Sequence, residues 1–299
     1  MKQKTSEIKK KYNIYITKGI KFAHENEIEV SQSFFLKAIK LDKTNKEGHI
    51  NLANTYLIKN NVVKCLSTLS NYIFNIKYET SILVLIFEIC SNYKLNSKFI
   101  KISEQILSNL KIEKEELKMI LYYKGISYEK LHKYNIALNL YKKFISLDIN
   151  FFDSYLKIFE LAESTNKLEI LNKYINLGLR IFKEDKPVKI LTLYKSILKN
   201  RDNKFSVSQE IISNHQLIEE FKNSKKYYPK LLDLEAKNNE KLKNYHLAFE
   251  KINLRNNFLL KLDENKKYDK NKILDTIKKY KKFFIKSNLK SINTNLTYV

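Results

Sequence analysis

The stretch from Leu121 to Tyr141 carries Gly125-Ile126-Ser127-Tyr128 and then Ala137-Leu138-Asn139-Leu140-Tyr141. A small residue is followed by an aromatic three residues on, a second small residue twelve on, and a second aromatic sixteen on. The same frame can be laid along the chain. Gly125 steps with Gly19, Ala53, Phe87 and Phe159, at intervals of 34, 34, 38 and 34 residues. Tyr128 steps with Phe22, Tyr56, Cys90 and Ala162; Ala137 with Ser31, Cys65, Phe99 and Leu171; Tyr141 with Phe35, Leu69, Ser103 and Ile175. Four columns in register at a fixed period mark an array of helical repeats, each too small to bury its apolar face alone.

Composition agrees. The chain has 299 residues, 43% of them hydrophobic, which is enough to bury a large core. It has four glycines and two prolines, too few for the many turns of a sheet protein. The expectation is an all-α, right-handed superhelical solenoid. Residues 1–181 form about five helix pairs, spanning 12–41, 47–78, 81–110, 117–147 and 152–181. Residues 182–286 form degenerate helices and a basic capping helix, and 287–299 a polar tail. The extra four residues before the fourth pair fall in the polar stretch 111–116, as a loop insertion would. Pro187 suits the first turn of a helix over 188–199, and a further helix is expected at about 206–221. Pro229 opens a helix over 230–241, and 245–260 and 270–286 are the last two. Glycine inside a helix costs about 1 kcal/mol relative to alanine. Gly19 therefore implies close approach of the facing helix backbone, with room for Ser31 and Ala38 beside it.

These columns resemble the tetratricopeptide repeat, over about residues 12–181. The pattern is met well at Gly19, Phe22, Ser31 and Phe35 and again at Gly125, Tyr128, Ala137 and Tyr141. The proline that usually closes such a repeat is replaced by Lys43 and Ile149, and Tyr15 stands where tryptophan is usual. The resemblance implies a concave groove lined by the first helix of each pair, with protein or peptide binding and no catalysis by this chain alone. The repeat geometry places Ile16, Ile20, Ile50, Asn54, Leu57, Tyr122, Ile126 and Glu129 on that face. Asn54 can donate to and accept from an extended peptide backbone at once. The Ile, Leu and Tyr lining suits an apolar peptide or helix. Repeats that clamp a C-terminal carboxylate use lysine and asparagine one turn apart; Ile16 and Ile20 fill that pair, so this specificity is not expected.

A second resemblance lies further on. Ala248-Phe249 with Asn256 seven residues after the Phe, then Tyr268-Asp269 and residues 273–284, is similar to the last repeat of tetratricopeptide-linked sulfotransferases. In that family a strand and a glycine-rich Pro-Arg-Ser-Gly-Thr-Thr loop follow and bind the phosphosulfate donor. No glycine occurs after Gly178, and a phosphate-cradling loop needs close backbone approach. The resemblance implies a substrate-presenting region whose sulfotransferase catalytic domain is separate or lost, or a stand-alone repeat protein of that descent.

The formal charge of +24 suits an anionic partner such as nucleic acid or an anionic membrane. The cations are nearly all lysine, with Arg180, Arg201 and Arg255 the only arginines. Phosphate readers favour arginine, and the abundance of Lys, Asn, Ile, Tyr and Phe also follows from an AT-rich coding sequence. Lys278, Lys279, Lys281 and Lys282 are interleaved with Tyr280 and Phe283, which gives a candidate anion-binding helix or a capping helix with its lysines in water.

Chemistry is scarce. The five histidines have no i, i+4 partner for a metal, and no Walker, dinucleotide or nucleophile-elbow motif occurs, so neither metal nor cofactor is expected. Glu219-Glu220 and the pair Asp233 and Glu235 read as solvated helix faces. Cys65 and Cys90 fall in buried columns and read as reduced packing residues. The lysine-rich start has no apolar run of signal-peptide type and the run 82–87 is too short to span a bilayer, so a soluble, cytoplasmic protein is expected.

Overall fold

The computed structural model describes residues 2–201 and 219–262, and every regular element among them is helical. The chain divides into two compact units, Met1–Phe182 and Lys183–Val299. The first contains α1 (Lys2–His24), α2 (Ile28–Leu41), α3 (Lys46–Ile58), α4 (Val62–Asn75), α5 (Thr80–Asn92), α6 (Asn96–Asn109), α7 (Lys114–Lys130), α8 (Tyr134–Leu147), α9 (Phe152–Ser164) and α10 (Leu168–Ile181). They form five hairpins of tetratricopeptide-like form, and each second helix among α2, α4, α6 and α8 packs on the first helix of the next pair.

The column residues are the core. Ser31, Cys65, Phe99, Ala137 and Leu171 are buried, as are Phe35, Leu69, Ser103, Tyr141 and Ile175. Burying a ring such as Phe35 contributes about 1.5–3 kcal/mol. The reason for the helical glycines differs from the expected backbone approach. A Cβ on Gly19 would lie 2.5 Å from the Phe35 ring, and one on Gly125 would lie 2.7 Å from the Tyr141 ring. The facing ring, not the facing backbone, fills the space. Ser31 then donates its hydroxyl to the Gly19 carbonyl at 2.7 Å, closing the α1–α2 contact.

One backbone device makes every hairpin. Asn26, Asn60, Lys94, His132 and Asn166 have φ between 54° and 63°. In each turn the next amide donates back to the carbonyl of the residue in the second column: Glu27 to Phe22, Asn61 to Tyr56, Leu95 to Cys90, Lys133 to Tyr128 and Lys167 to Ala162. This is the left-handed helix stop, in which the 6→1 bond satisfies a terminal carbonyl.

In the first unit two helix starts and one end depart from expectation by three residues or more; the end is that of α4, at Asn75 rather than 78. α1 begins at Lys2, well before Tyr12. α7 begins at Lys114, so half of the polar insertion is helix, fixed by reciprocal capping between Glu113 and Glu116.

The second unit contains α11 (Asp185–Arg201), α12 (Tyr228–Lys241) and α13 (Tyr245–Lys261). α12 and α13 form another hairpin with the same stop: Lys243 has φ 62°, and Asn244 donates to the Asn239 carbonyl. That bond extends the columns to Ala236, Asn239, Ala248 and Ile252, so this pair keeps the full register. Asp233 and Glu235 are not a solvated pair. Asp233 binds Arg255, and Glu235 is 4% exposed and lies 2.9 Å from Lys251 Nζ. A buried carboxylate needs such a partner to offset its desolvation. The helices expected at about 206–221 and 270–286, the capping helix included, fall wholly or largely outside the described residues, as do Tyr268, Asp269 and the tail.

Candidate peptide-binding face

The first helices α1, α3, α5, α7 and α9 carry, one residue past each small-column position, Ile20, Asn54, Glu88, Ile126 and Glu160. This row stays open to solvent to a useful degree. Ile20 is 38% exposed, Asn54 and Glu88 are exposed, and Ile126 and Glu160 are half-buried. The adjoining column positions Gly19, Ala53, Phe87, Gly125 and Phe159 are all buried. A helix turn of 100° per residue produces that contrast: the column residue faces its own second helix and its successor looks outward.

The expected site residues divide between the face and the core. Ile20 and Asn54 are exposed, whereas Ile126 is half-buried and packs against the core of α3 to α7. Ile50 and Leu57 are half-buried and pack against the core of α3 to α7. Ile16 is a correction: it is 5% exposed and packs with Tyr12, Phe35, Ala38 and Leu52, because α1 contacts both α2 and α3 and turns this residue onto them. Tyr122 also turns inward, into a ring cluster with Tyr141, Phe144 and Phe151 at centroid separations of 6.0, 5.8 and 5.4 Å. Burial, with the nearby Asp153 and Glu129 charges behind it, pushes its hydroxyl up to about 12.

Glu129 is a joint. Tyr141 donates to its Oε1, and Lys157 of α9 donates to its Oε2 at 3.1 Å. One carboxylate thereby ties α7, α8 and α9 together. Burial is the larger cause, and the Glu129 charge the next, of a Tyr141 hydroxyl that is strongly resistant to ionisation. Lys130 reaches Ser91 of α5 from the same edge, so α5, α7 and α9 are laced across this face. Glu88 and Glu160 were not anticipated as face residues. The signal was present, since both follow a column position as Asn54 and Ile126 do.

Elsewhere the thiols of Cys65 and Cys90 are buried, and burial pushes both up to about 11, which leaves them protonated. Among the described residues no group of three or more His, Cys, Asp or Glu side chains could hold a metal ion, and no helix is long and apolar enough to cross a membrane. The anion-binding candidates Lys278, Lys279, Lys281 and Lys282 lie outside the described residues.

No family model matches the chain, and no curated protein matches it. Solved structures similar to it include the apo form of the quorum sensor NprR from B. thuringiensis, 16% identical over 86% of this chain and 81% of that one, with a TM-score of 0.48. A tetratricopeptide repeat protein from Parabacteroides merdae is 15% identical over 90% and 98%, with a TM-score of 0.44. The Pseudomonas aeruginosa pilF structure is 13% identical over 73% and 95%, with a TM-score of 0.46. The fold rests on the repeating columns and their packing rather than on these likenesses.

Proposed function

We propose that the row Ile20, Asn54, Glu88, Ile126 and Glu160 is the floor of a site for an extended protein segment or peptide, and that the chain acts as a binding scaffold. The observation that carries this reading is the row itself, exposed at Ile20, Asn54 and Glu88 and half-buried at Ile126 and Glu160, beside a fully buried column. A ligand along it meets apolar side chains at Ile20 and Ile126, an amide at Asn54 that no hydrogen bond ties down among the described residues, and carboxylates at Glu88 and Glu160. That alternation suits a peptide with apolar residues and a basic one between them.

The test is a peptide-display screen against the full chain, repeated with Ile20→Glu/Asn54→Ala and with Glu88→Lys. Ile20→Glu is preferable to a change at Leu57, whose side chain supports the core. Peptides enriched by the parent and lost at least tenfold by both variants, with helix content and melting temperature unchanged, support the face. Enriched peptides indifferent to both variants overturn it. Binding to a separate sulfotransferase catalytic domain, or to an anionic surface through Lys278, Lys279, Lys281 and Lys282, draws on sequence alone. Either would show as binding that survives these three substitutions.

A further inference from the structure

The five hairpin turns of the first unit lie along one edge of the array. Links of three or four residues reverse the chain at every step, so the turns within pairs fall at one end of the helices and the links between pairs at the other. Side chains join neighbouring turns along that edge. Lys59 of the second turn pairs with Glu29 beside the first, Lys130 at the fourth reaches Ser91 beside the third, and Lys167 at the fifth reaches Asn135 beside the fourth. The two edges differ in charge. Stretches 58–64, 92–98 and 130–136 carry Lys59, Lys64, Lys94, Lys98, Lys130 and Lys133 and no acidic residue. Among the described residues, only Lys59 of these six has a carboxylate partner. On the other edge every link, 42–47, 76–79, 110–116 and 148–153, carries at least one acid, and there Lys46 pairs with Glu79 and Lys118 with Asp148.

The same three turns hold apolar side chains out in water. Ile58, Val63, Tyr93, Leu95 and Ile136 are 37–76% exposed, and Val63 is the most exposed large apolar side chain among the described residues. Its neighbour Val62 packs on the core, so the core does not use Val63. A single exposed apolar residue needs no explanation, but here they recur in three successive turns among lysines. Acids return at the first turn, with Glu25, Glu27 and Glu29, and beside the fifth, with Glu163 and Glu169, so the strip is bounded. We propose that this strip of the middle three turns rests on an anionic lipid bilayer. Ile58, Val63, Leu95 and Ile136 enter the interfacial layer, and the lysines meet the negative headgroups while their stems lie against apolar surface. Two features favour a bilayer over nucleic acid. The aliphatic tips gain nothing from a hydrated polyanion, and the cations are all lysine, whereas phosphate readers favour the arginine fork. The strip does not use Ile20, Asn54 or Glu88, so this inference stands apart from the peptide row.

Co-sedimentation of the full chain with vesicles tests this, using phosphatidylcholine alone and equal parts of phosphatidylcholine and phosphatidylserine. The parent is compared with Ile58→Ser/Val63→Ser, with Lys98→Glu/Lys133→Glu, and with Lys43→Glu/Lys111→Glu on the opposite edge, which changes the net charge equally. Lys98 and Lys133 stand at helix starts, where glutamate is favoured, so the charge variant should fold. The parent is expected to partition at least tenfold better onto the phosphatidylserine vesicles. Both turn variants should lose at least tenfold of that binding, and the opposite-edge variant less than twofold. The chain has no tryptophan, so Val63→Trp supplies a second readout. Its emission should shift to the blue on phosphatidylserine vesicles, and that of Lys43→Trp should not. No vesicle binding by the parent overturns the proposal. So does an equal loss in the two charge variants, which would assign binding to net charge alone, or binding indifferent to Ile58→Ser/Val63→Ser with no shift at position 63. Binding to single-stranded RNA that Lys98→Glu/Lys133→Glu abolishes, without vesicle binding, overturns it in favour of nucleic acid.

Discussion

Gly19 and Gly125 sit in helix interiors because a ring occupies the space of their missing Cβ. In the column scheme Ala53 stands opposite Leu69 in the second pair, and the order is reversed in the third, where Phe87 stands opposite Ser103. In these four pairs a small residue is matched with a large one; the fifth, Phe159 with Ile175, is large at both positions and buried at both. Gly19→Ala is therefore expected to cost about 1–3 kcal/mol by overpacking, and Phe35→Leu about 1 kcal/mol or more by leaving a void. The double variant reproduces the Ala–Leu pairing of the second repeat and should cost less than the sum of the two. Denaturant unfolding of all four proteins checks the cycle; strict additivity would show that the two positions do not share one space. His49 gives a pH prediction. Its ring is buried beside Tyr72, and because a carbonyl only accepts, Nε2 donates to the Lys43 oxygen at 3.0 Å. Burial holds the imidazole below its ordinary pKa, the Lys43 bond opposing this in part. The folded chain therefore binds fewer protons than the unfolded chain between the two values. Its contribution to stability is whole above about pH 6.5 and is lost as pH falls through the depressed folded value. Melting temperatures between pH 8 and pH 5 should fall less steeply in His49→Gln; parallel slopes would assign the acid sensitivity to other groups.

The hairpin turn is the element that the sequence conceals best. Its left-handed residue is Asn at positions 26, 60 and 166, a residue tolerant of that region, but Lys at 94 and 243 and His at 132. With half of the turns lacking a distinctive residue, no motif stands out, and the backbone bond to the second-column carbonyl becomes visible only in the structure. The same concealment explains why the α12–α13 pair looked degenerate: Ala236 and Ala248 keep the twelve-residue spacing, but Asn239 replaces the aromatic that draws the eye. Helix existence was legible from the apolar columns, and most bounds lie within a residue or two of those expected. α7 was mispredicted because its capping box lies in charged sequence that also suits a loop. The strain at the lysines is removable. Lys94→Asn and Lys243→Asn should each stabilise the chain by about 0.5–1 kcal/mol, the left-handed region costing a side chain roughly 1–2 kcal/mol. The same exchange at Lys37, inside α2, should destabilise slightly because asparagine is the poorer helix former. Thermal melts of the three variants decide it, and equal effects at all three sites would exclude a conformational origin.

Across the whole molecule, the candidate face was legible only as a row. Column arithmetic placed Ile20, Asn54 and Ile126 in one row, yet it also admitted Ile16 and Tyr122, since a residue three before a buried column position sits about 60° from it and faces inward or outward according to what the neighbouring pair presents. Ile16 is covered where α2 and α3 close over the start of the array, and Tyr122 is drawn in by three rings, features that spacing alone does not contain. Charge operates at this scale too. The chain carries 56 basic and 32 acidic residues. Many ion pairs are on exposed side chains, such as Lys59 with Glu29 and Lys222 with Glu219, and surface pairs of this kind contribute little each. The net positive charge repels itself over distances that salt shortens to about 10 Å at 0.1 M. Self-repulsion should therefore outweigh the lost pairs, and the melting temperature should rise as sodium chloride is raised from low concentration, levelling once the screening length falls below the spacing of the lysines. Sodium chloride is the salt to use, since sulfate strengthens burial by exclusion and would raise stability without any electrostatic cause. A melting temperature that falls across the same titration would show that the specific pairs joining the helices, Lys157 with Glu129 and Lys118 with Asp148 among them, hold the array together more strongly than its net charge pushes it apart.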